Sequence, residues 1–592
     1  MFRAVVAAVA LAVLAGGPAS AETQQGKFFV WVELIGFDNA LGDYGVGEYL
    51  SRMPRRPDMI SILLDNDLLL TSYEGYDAAA KLLPDNCAYG ARPYNAERRR
   101  QEWTQGQLKG LVAELRKRGI DVFASFFHWY PDVMPKPDAE AERFAGLFVR
   151  FLTDFGFTGL HGSDGYAPPR YLLPECTDAE RPAVARRQAA RFAANWKTFA
   201  SALKAEGLKT WINTCWTLDP FEALYRYGVD YRLLAQTGVD GFVVESSAAA
   251  LQVLGGGRHL DSPTIYKSMA MLMRLKAAAP EMPLVLLHGI HDGNEQWSAL
   301  RHAPSHTRSE ALQLGTLFYN NRRILDGFLA CLGDTIKATE WKELDRVWKL
   351  PFLDVKEPFG LRVVWSDRAF DREFDDCVVS HDASSFTLLR KLLAHGMSSC
   401  CILSSDEALK DKSLPLILLN PEFYPEEELA ALRKRPARVF EIGRGARSRC
   451  PVTYVPRKDT ATFPGMPTND SCYFTRPLSE NLPPDEFFRH EAEAATEVMP
   501  FCCFDPKMYC WGFRLANGRL AVLVRNDGEI YGEATVRMQN CVSDVRVHSD
   551  FPTAPVKTRL AGRIAPHDTM FISVGEHAWP LPDPNVKCTD MR

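Results

Sequence analysis

From Lys27 to about Leu350, short apolar runs alternate with amphipathic stretches. Eight runs read as strands: Phe28–Ile35, Met59–Leu64, Val122–Phe127, Phe157–Leu160, Lys209–Asn213, Gly241–Val244, Leu284–Leu287 and Gly327–Leu332. Between them, spacings of three and four residues predict helices over Thr104–Arg118, Ala139–Phe155, Ala183–Glu206, Thr264–Ala279 and Arg308–Tyr319. Glycines at Gly119, Gly156, Gly207 and Gly238 stand just before a strand, where a helix ends in a left-handed residue. Continuous apolar strands alternating with helices are the pattern of a parallel sheet covered on both faces. Eight units in this span fit a closed (β/α)8 TIM barrel over residues 22–350.

The period then changes. Residues 354–448 read as a small open α/β layer, with strands at Leu361–Trp365, Ser399–Leu403 and Leu414–Leu418 and a helix over Ser385–Gly396. Residues 449–504, rich in Pro, Asp and Asn, are expected to be an irregular linker. Residues 505–592 alternate in steps of two around the turn Ala516-Asn517-Gly518, as in an antiparallel β-sandwich domain.

The first 21 residues have the form of a signal peptide. Arg3 precedes the apolar run Ala4–Leu14, and Ala19-Ser20-Ala21 supplies small residues for cleavage. The expectation is a secreted or periplasmic protein without a membrane span. The net charge of −5, with no basic run, speaks against nucleic acid as a partner. The 14 cysteines contain no CxxC pair, so a zinc ribbon is not expected. An aromatic content of 11%, with 12 Trp, suits both a large core and sugar-stacking surfaces.

Chemistry-bearing residues gather at the strand ends, which converge on one mouth in a barrel. They are Glu33, Asp65, Asp67, His128, Trp129, Asp164, Tyr166, Asn213, Trp216, Glu245, His288, His291, Asp292 and Asp334. Carboxylates and Asn bond hydroxyls, and Trp stacks on a sugar ring, so an oligosaccharide or glycan is the expected substrate. Glycoside hydrolysis needs two carboxyls. Asp164, in the stretch FTGLHGSDGYAPP, and Glu245 both follow apolar strands directly and form the expected pair, nucleophile and general acid/base. The other strand-end residues of the list, except Asp334, are expected to contact substrate. No cofactor or metal is expected. His288, His291 and Asp292 would be the ligands in an alternative metal-dependent deacetylase or lyase, and a glycan-binding protein on a degenerate barrel is a second alternative. No GxSxG elbow, GxGxxG turn or phosphate loop is present.

The order of barrel, small α/β layer and β domain resembles the three-domain β-galactosidases, whose middle domain has a glutamine-amidotransferase-like fold. The stretch LPLILLNPEFYPEEELAALRK, Leu414–Lys434, resembles the strand, Asn and acidic helix of that domain. The resemblance implies such a fold for residues 354–448 and a homo-oligomer formed through it. The family carries catalytic Glu residues at strands four and seven, where this chain has Asp164 and His288. An Asp at strand four with an acid at strand six resembles instead the retaining α-glycosidases, which implies retention of configuration.

Overall fold

The structure, a computed structural model, describes residues 26–65, 73–82, 101–127, 138–163, 173, 176–214, 219–245, 264–289, 304–334, 336–444, 482–495, 498–503, 505, 507–548, 553–556 and 559–577. The expected signal segment lies outside them. No helix among these residues is long and apolar enough to cross a membrane.

Eight parallel strands close into a barrel. In chain order they are Lys27–Glu33, Met59–Asp65, Asp121–Phe127, Gly159–Gly162, Lys209–Asn213, Gly241–Glu245, Leu284–Gly289 and Gly327–Cys331, called here strands one to eight. Strand eight pairs with strand one, Lys27 opposite Gly327, which completes the circle. The helices form as their spacing dictates. Asp138–Phe155 buries Phe144, Phe148, Phe151, Leu152 and Phe155 on one face. Gln105–Lys117 starts at a capping box in which Gln107 N–H donates to Thr104 Oγ1 (3.2 Å) and Thr104 N–H to Gln107 Oε1 (3.0 Å). Gly119 and Gly156 take φ of 72° and 78°, the left-handed turn that lets the chain pass from helix to strand.

Strand parity divides the barrel residues. Phe28, Val30 and Val32 pack outward with the helices. Phe29, Trp31, Met59, Leu63, Phe123, Trp211, Val243, Val285, Leu287 and Leu329 form a separate cluster inside the barrel.

The helix expected over Arg308–Tyr319 instead spans Pro304–Gly315. Phe318–Tyr319 and Arg322–Arg323 form a short hairpin at the edge of a second sheet. That sheet runs Val439–Ile442, Leu416–Leu419, Arg362–Trp365, Cys401–Ser404, then the hairpin. Strand eight follows the hairpin in the chain, so barrel and second sheet share one stretch of backbone. Val355–Pro358 pairs antiparallel with Met508–Leu515 in a five-stranded sheet. This sheet packs on a four-stranded one through Met508, Val522, Val524, Val536, Leu560 and Ile572. Within the stretch expected to be irregular, a helix spans Asp485–Ala495 and a strand spans Phe501–Cys503.

Candidate functional site

The C-terminal ends of the barrel strands gather the candidate residues. Glu33 closes strand one two residues after Trp31, on the inward-facing parity, and is 1% exposed. Glu245 closes strand six two residues after the inward Val243 and is only partly buried. Its backbone N–H donates to Thr214 Oγ1 at 3.3 Å, tying the end of strand six to that of strand five. Asp65 closes strand two. Asn213 closes strand five and is 1% exposed. Asp67, His128, Trp129, Asp164, Tyr166, Trp216, His291 and Asp292 lie outside the described residues.

Between the apolar floor and this rim sits a polar layer that pattern reading did not single out. His161 on strand four is fully buried. Its Nε2 lies 2.7 Å from Asn213 Oδ1 and its Nδ1 lies 2.9 Å from Ser61 Oγ. The amide oxygen accepts, so the ring proton sits on Nε2, and Nδ1 accepts from the Ser61 hydroxyl. Burial drives the His161 pKa down from 6.5 to about 4, with Asn213 opposing, so the ring is neutral near pH 7. The Trp31 ring meets His161 edge-on, centroids 5.2 Å apart. Beside them Ser125 Oγ donates to Ser163 Oγ (2.7 Å), which donates to the Phe126 carbonyl (3.0 Å). The sequence signal for this layer is a single polar residue inside each of three otherwise apolar runs: Ser61, Ser125 and His161.

Two donors in this layer have no hydrogen-bond partner among the described residues: Trp31 Nε1 and Asn213 Nδ2. In this orientation the Asn213 amide oxygen faces His161 and the NH2 is the donor left over, a group a sugar hydroxyl or ring oxygen would accept from.

The glycines of strand four follow from the same packing. A Cβ on Gly159 would stand 2.3 Å from the Lys209 carbonyl oxygen, and one on Gly162 would stand 2.5 Å from the Trp196 ring. They permit close approach of neighbours; they do not by themselves mark catalysis.

His288 does not sit where strand-end counting puts it. It has the parity of Leu284 and Leu286, which pack outward, and it is 1% exposed. Trp348 Nε1 donates to its Nδ1 at 2.9 Å, and Glu310 Oε2 lies 3.0 Å from its Nε2. Both partners come from helices, Ala338–Lys349 and Pro304–Gly315. The expected substrate contact by His288 is replaced by a role in joining barrel to helices, because one step along a strand reverses the side-chain direction. Among the described residues no group of three or more His, Cys, Asp or Glu is placed to hold a metal ion.

No protein-family model matches the chain, and no curated protein does. Solved structures do. The β-galactosidase of the psychrophilic Marinomonas ef1 is 8% identical with a TM-score of 0.50, over 92% of this chain and 99% of that one. A catalytic mutant of Gan42B, a GH42 β-galactosidase from G. stearothermophilus, is 9% identical with a TM-score of 0.54, over 93% and 98%. At such identities the likeness is one of fold: this chain has the architecture of these β-galactosidases along nearly its whole length.

Proposed function

We propose that the protein is an exported glycoside hydrolase that cleaves an oligosaccharide or glycan at the barrel mouth. The observation that carries the reading is Glu245, a partly buried carboxylate on the inward parity of strand six, above a neutral polar layer and at the strand ends where barrels do chemistry. Strands four and six both flank strand five, so the described end of strand four, one residue before Asp164 in the chain, lies on the same side of the barrel as Glu245. In this reading Asp164 attacks the anomeric carbon and forms a glycosyl-enzyme ester. Glu245 protonates the leaving oxygen, then deprotonates the water that releases the sugar, and configuration is retained. Asn213 and Glu33 bond substrate hydroxyls, and the rim aromatics Trp129 and Trp216 stack on sugar rings. The fold shared with β-galactosidases supports the reaction class, and the donor set of the barrel interior supports a hydroxyl-rich substrate.

The test is a screen of the purified mature chain on nitrophenyl glycosides and on a glycan panel, with proton NMR of the anomer first released. The expected result is turnover of at least one glycoside with the starting anomeric configuration. Asp164→Asn and Glu245→Gln should each lower kcat by about 10²–10⁴-fold. Inversion in the first product would refute the double-displacement roles, and variants as active as the parent would move the chemistry elsewhere.

A further inference from the structure

The C-terminal unit carries two thiols that its register brings together. Phe501–Cys503 belongs to the four-stranded sheet and Met508–Leu515 to the five-stranded one, so the two strands face each other rather than pair. Residues 504–507 join them in sequence. A Cβ on Gly512 would stand 2.7 Å from Phe501 Cζ, so Phe501 lies across the interior from Gly512. Two residues nearer the connection on each strand stand Cys503 and Cys510, and the alternation of faces turns them to the same side as Phe501 and Gly512. Both pack against the cluster that fills the space between the sheets. The backbone N–H of Cys503 donates to the Cys510 sulfur.

The surroundings suit a bond between these two sulfurs. Cys503 Sγ donates to Asp505 Oδ2 at 3.1 Å, but the same oxygen accepts from the Thr535 N–H at 2.6 Å and keeps that partner when the thiol proton leaves. Cys502 stands opposite Arg537 on the adjoining strand and alternates to the other face, away from Cys510. The Cys510 carbonyl accepts from Ser398 Oγ at 2.6 Å, which fixes this strand against the second sheet unit. A bond here closes the loop 503–510 and restricts the unfolded chain where the two sheets meet. Burial pushes both thiols above their ordinary range, Cys510 to about 12. Few thiolates form once the sandwich has closed, so thiol–disulfide exchange belongs to the chain while it is still open.

We propose that Cys503 and Cys510 are an oxidative modification site, joined as a disulfide that staples the two sheets of the C-terminal unit. The oxidant is a disulfide, of the class that the export route proposed above supplies. One cysteine thiolate attacks a sulfur of that disulfide and releases a thiol. The second cysteine thiolate attacks the mixed disulfide and releases the other. One S–S bond forms and one breaks, and the two cysteine protons and two electrons end on the two released thiols. The inference does not depend on the barrel chemistry.

The experiment synthesises the full chain in a cell-free extract with glutathione disulfide as the oxidant, so that the thiols meet it before the sandwich closes. The soluble product is unfolded in urea, its remaining thiols are blocked with N-ethylmaleimide, and the chain is cut with trypsin. Cleavage after Lys507 separates the two partners. The expected result is the peptide His490–Lys507 joined to Met508–Arg514, with tandem mass spectrometry placing the bond on Cys503. Cys502→Ser should keep the joined pair, and Cys503→Ser should lose it. The inference is overturned if Cys503 and Cys510 both carry maleimide in the oxidised product. It is also overturned if Cys510 is joined through Cys502, or if either partner is joined to a cysteine elsewhere in the chain. The peptide map of the parent decides the matter even if a variant fails to fold.

Discussion

The barrel interior and the shell around it each hold a buried histidine, and the two are built for different ends. Inside, His161 hydrogen-bonds two short polar side chains, Ser61 and Asn213, and leaves the Asn213 amide donor idle at the strand end. Outside, His288 is clamped between an indole and a carboxylate from two helices. The indole can only donate, so Nδ1 of His288 must accept and the ring proton faces Glu310. The shell spends its histidine on holding helices to the barrel. The interior spends its histidine on aiming a donor. In both cases strand parity assigns the part, since each residue stands near the C-terminal end of its strand.

Substitutions that separate the two roles sharpen this contrast. His288→Leu should cost about 3 kcal/mol of stability by leaving the Trp348 N–H and the Glu310 carboxylate without the ring. Thermal melts should show the loss, while kcat of the folded fraction stays at the parent value; a fall in kcat at full folding would return His288 to the site.

His161 should appear in the acid limb of stability. Its folded pKa, about 4, lies below its unfolded value of 6.5. The unfolded chain therefore binds the proton first as pH falls. The stability held above pH 6.5 is lost progressively down to about pH 4, by roughly 3 kcal/mol. His161→Gln should flatten that part of the urea-unfolding profile, and an unchanged slope between pH 6.5 and 4 would contradict a buried neutral ring.

The smallest effect is expected at Asn213. Asn213→Leu removes the donor and one His161 partner, which should lower kcat/KM about tenfold while changing stability by only about 1–2 kcal/mol. If it lowered stability as much as His288→Leu and left turnover intact, the interior layer would be structural like the shell.

Much of the fold was legible because it is written locally. Apolar runs bounded by Gly119, Gly156, Gly207 and Gly238 set the barrel strands and helix ends, and every one of the eight strands forms near its expected position. Long-range pairing was not legible. Phe318–Tyr319 looks helical by composition, yet it pairs with Cys401–Ile402 more than 80 residues on, and Val355–Pro358 pairs with Phe513–Leu515. The rim was legible as strand ends, and Glu33, Asn213 and Glu245 do close their strands. The polar layer was missed because Ser61 and His161 read as breaks in apolar runs until closure brings strands two, four and five around one axis. His288 shows the converse: nearness to a strand end brings a side chain to the mouth only where the alternation of faces also turns it inward, and His288 shares the outward parity of Leu284 and Leu286.

The central claim is that Glu245 gives a proton to a departing sugar oxygen, and its most direct test is leaving-group dependence in Glu245→Ala. On a glycoside with a poor leaving group the variant should lose about 10²–10⁴-fold in kcat. On the matching dinitrophenyl glycoside, whose leaving group needs no proton, it should keep most of the first step. Equal losses on both substrates, or none on either, would contradict the account.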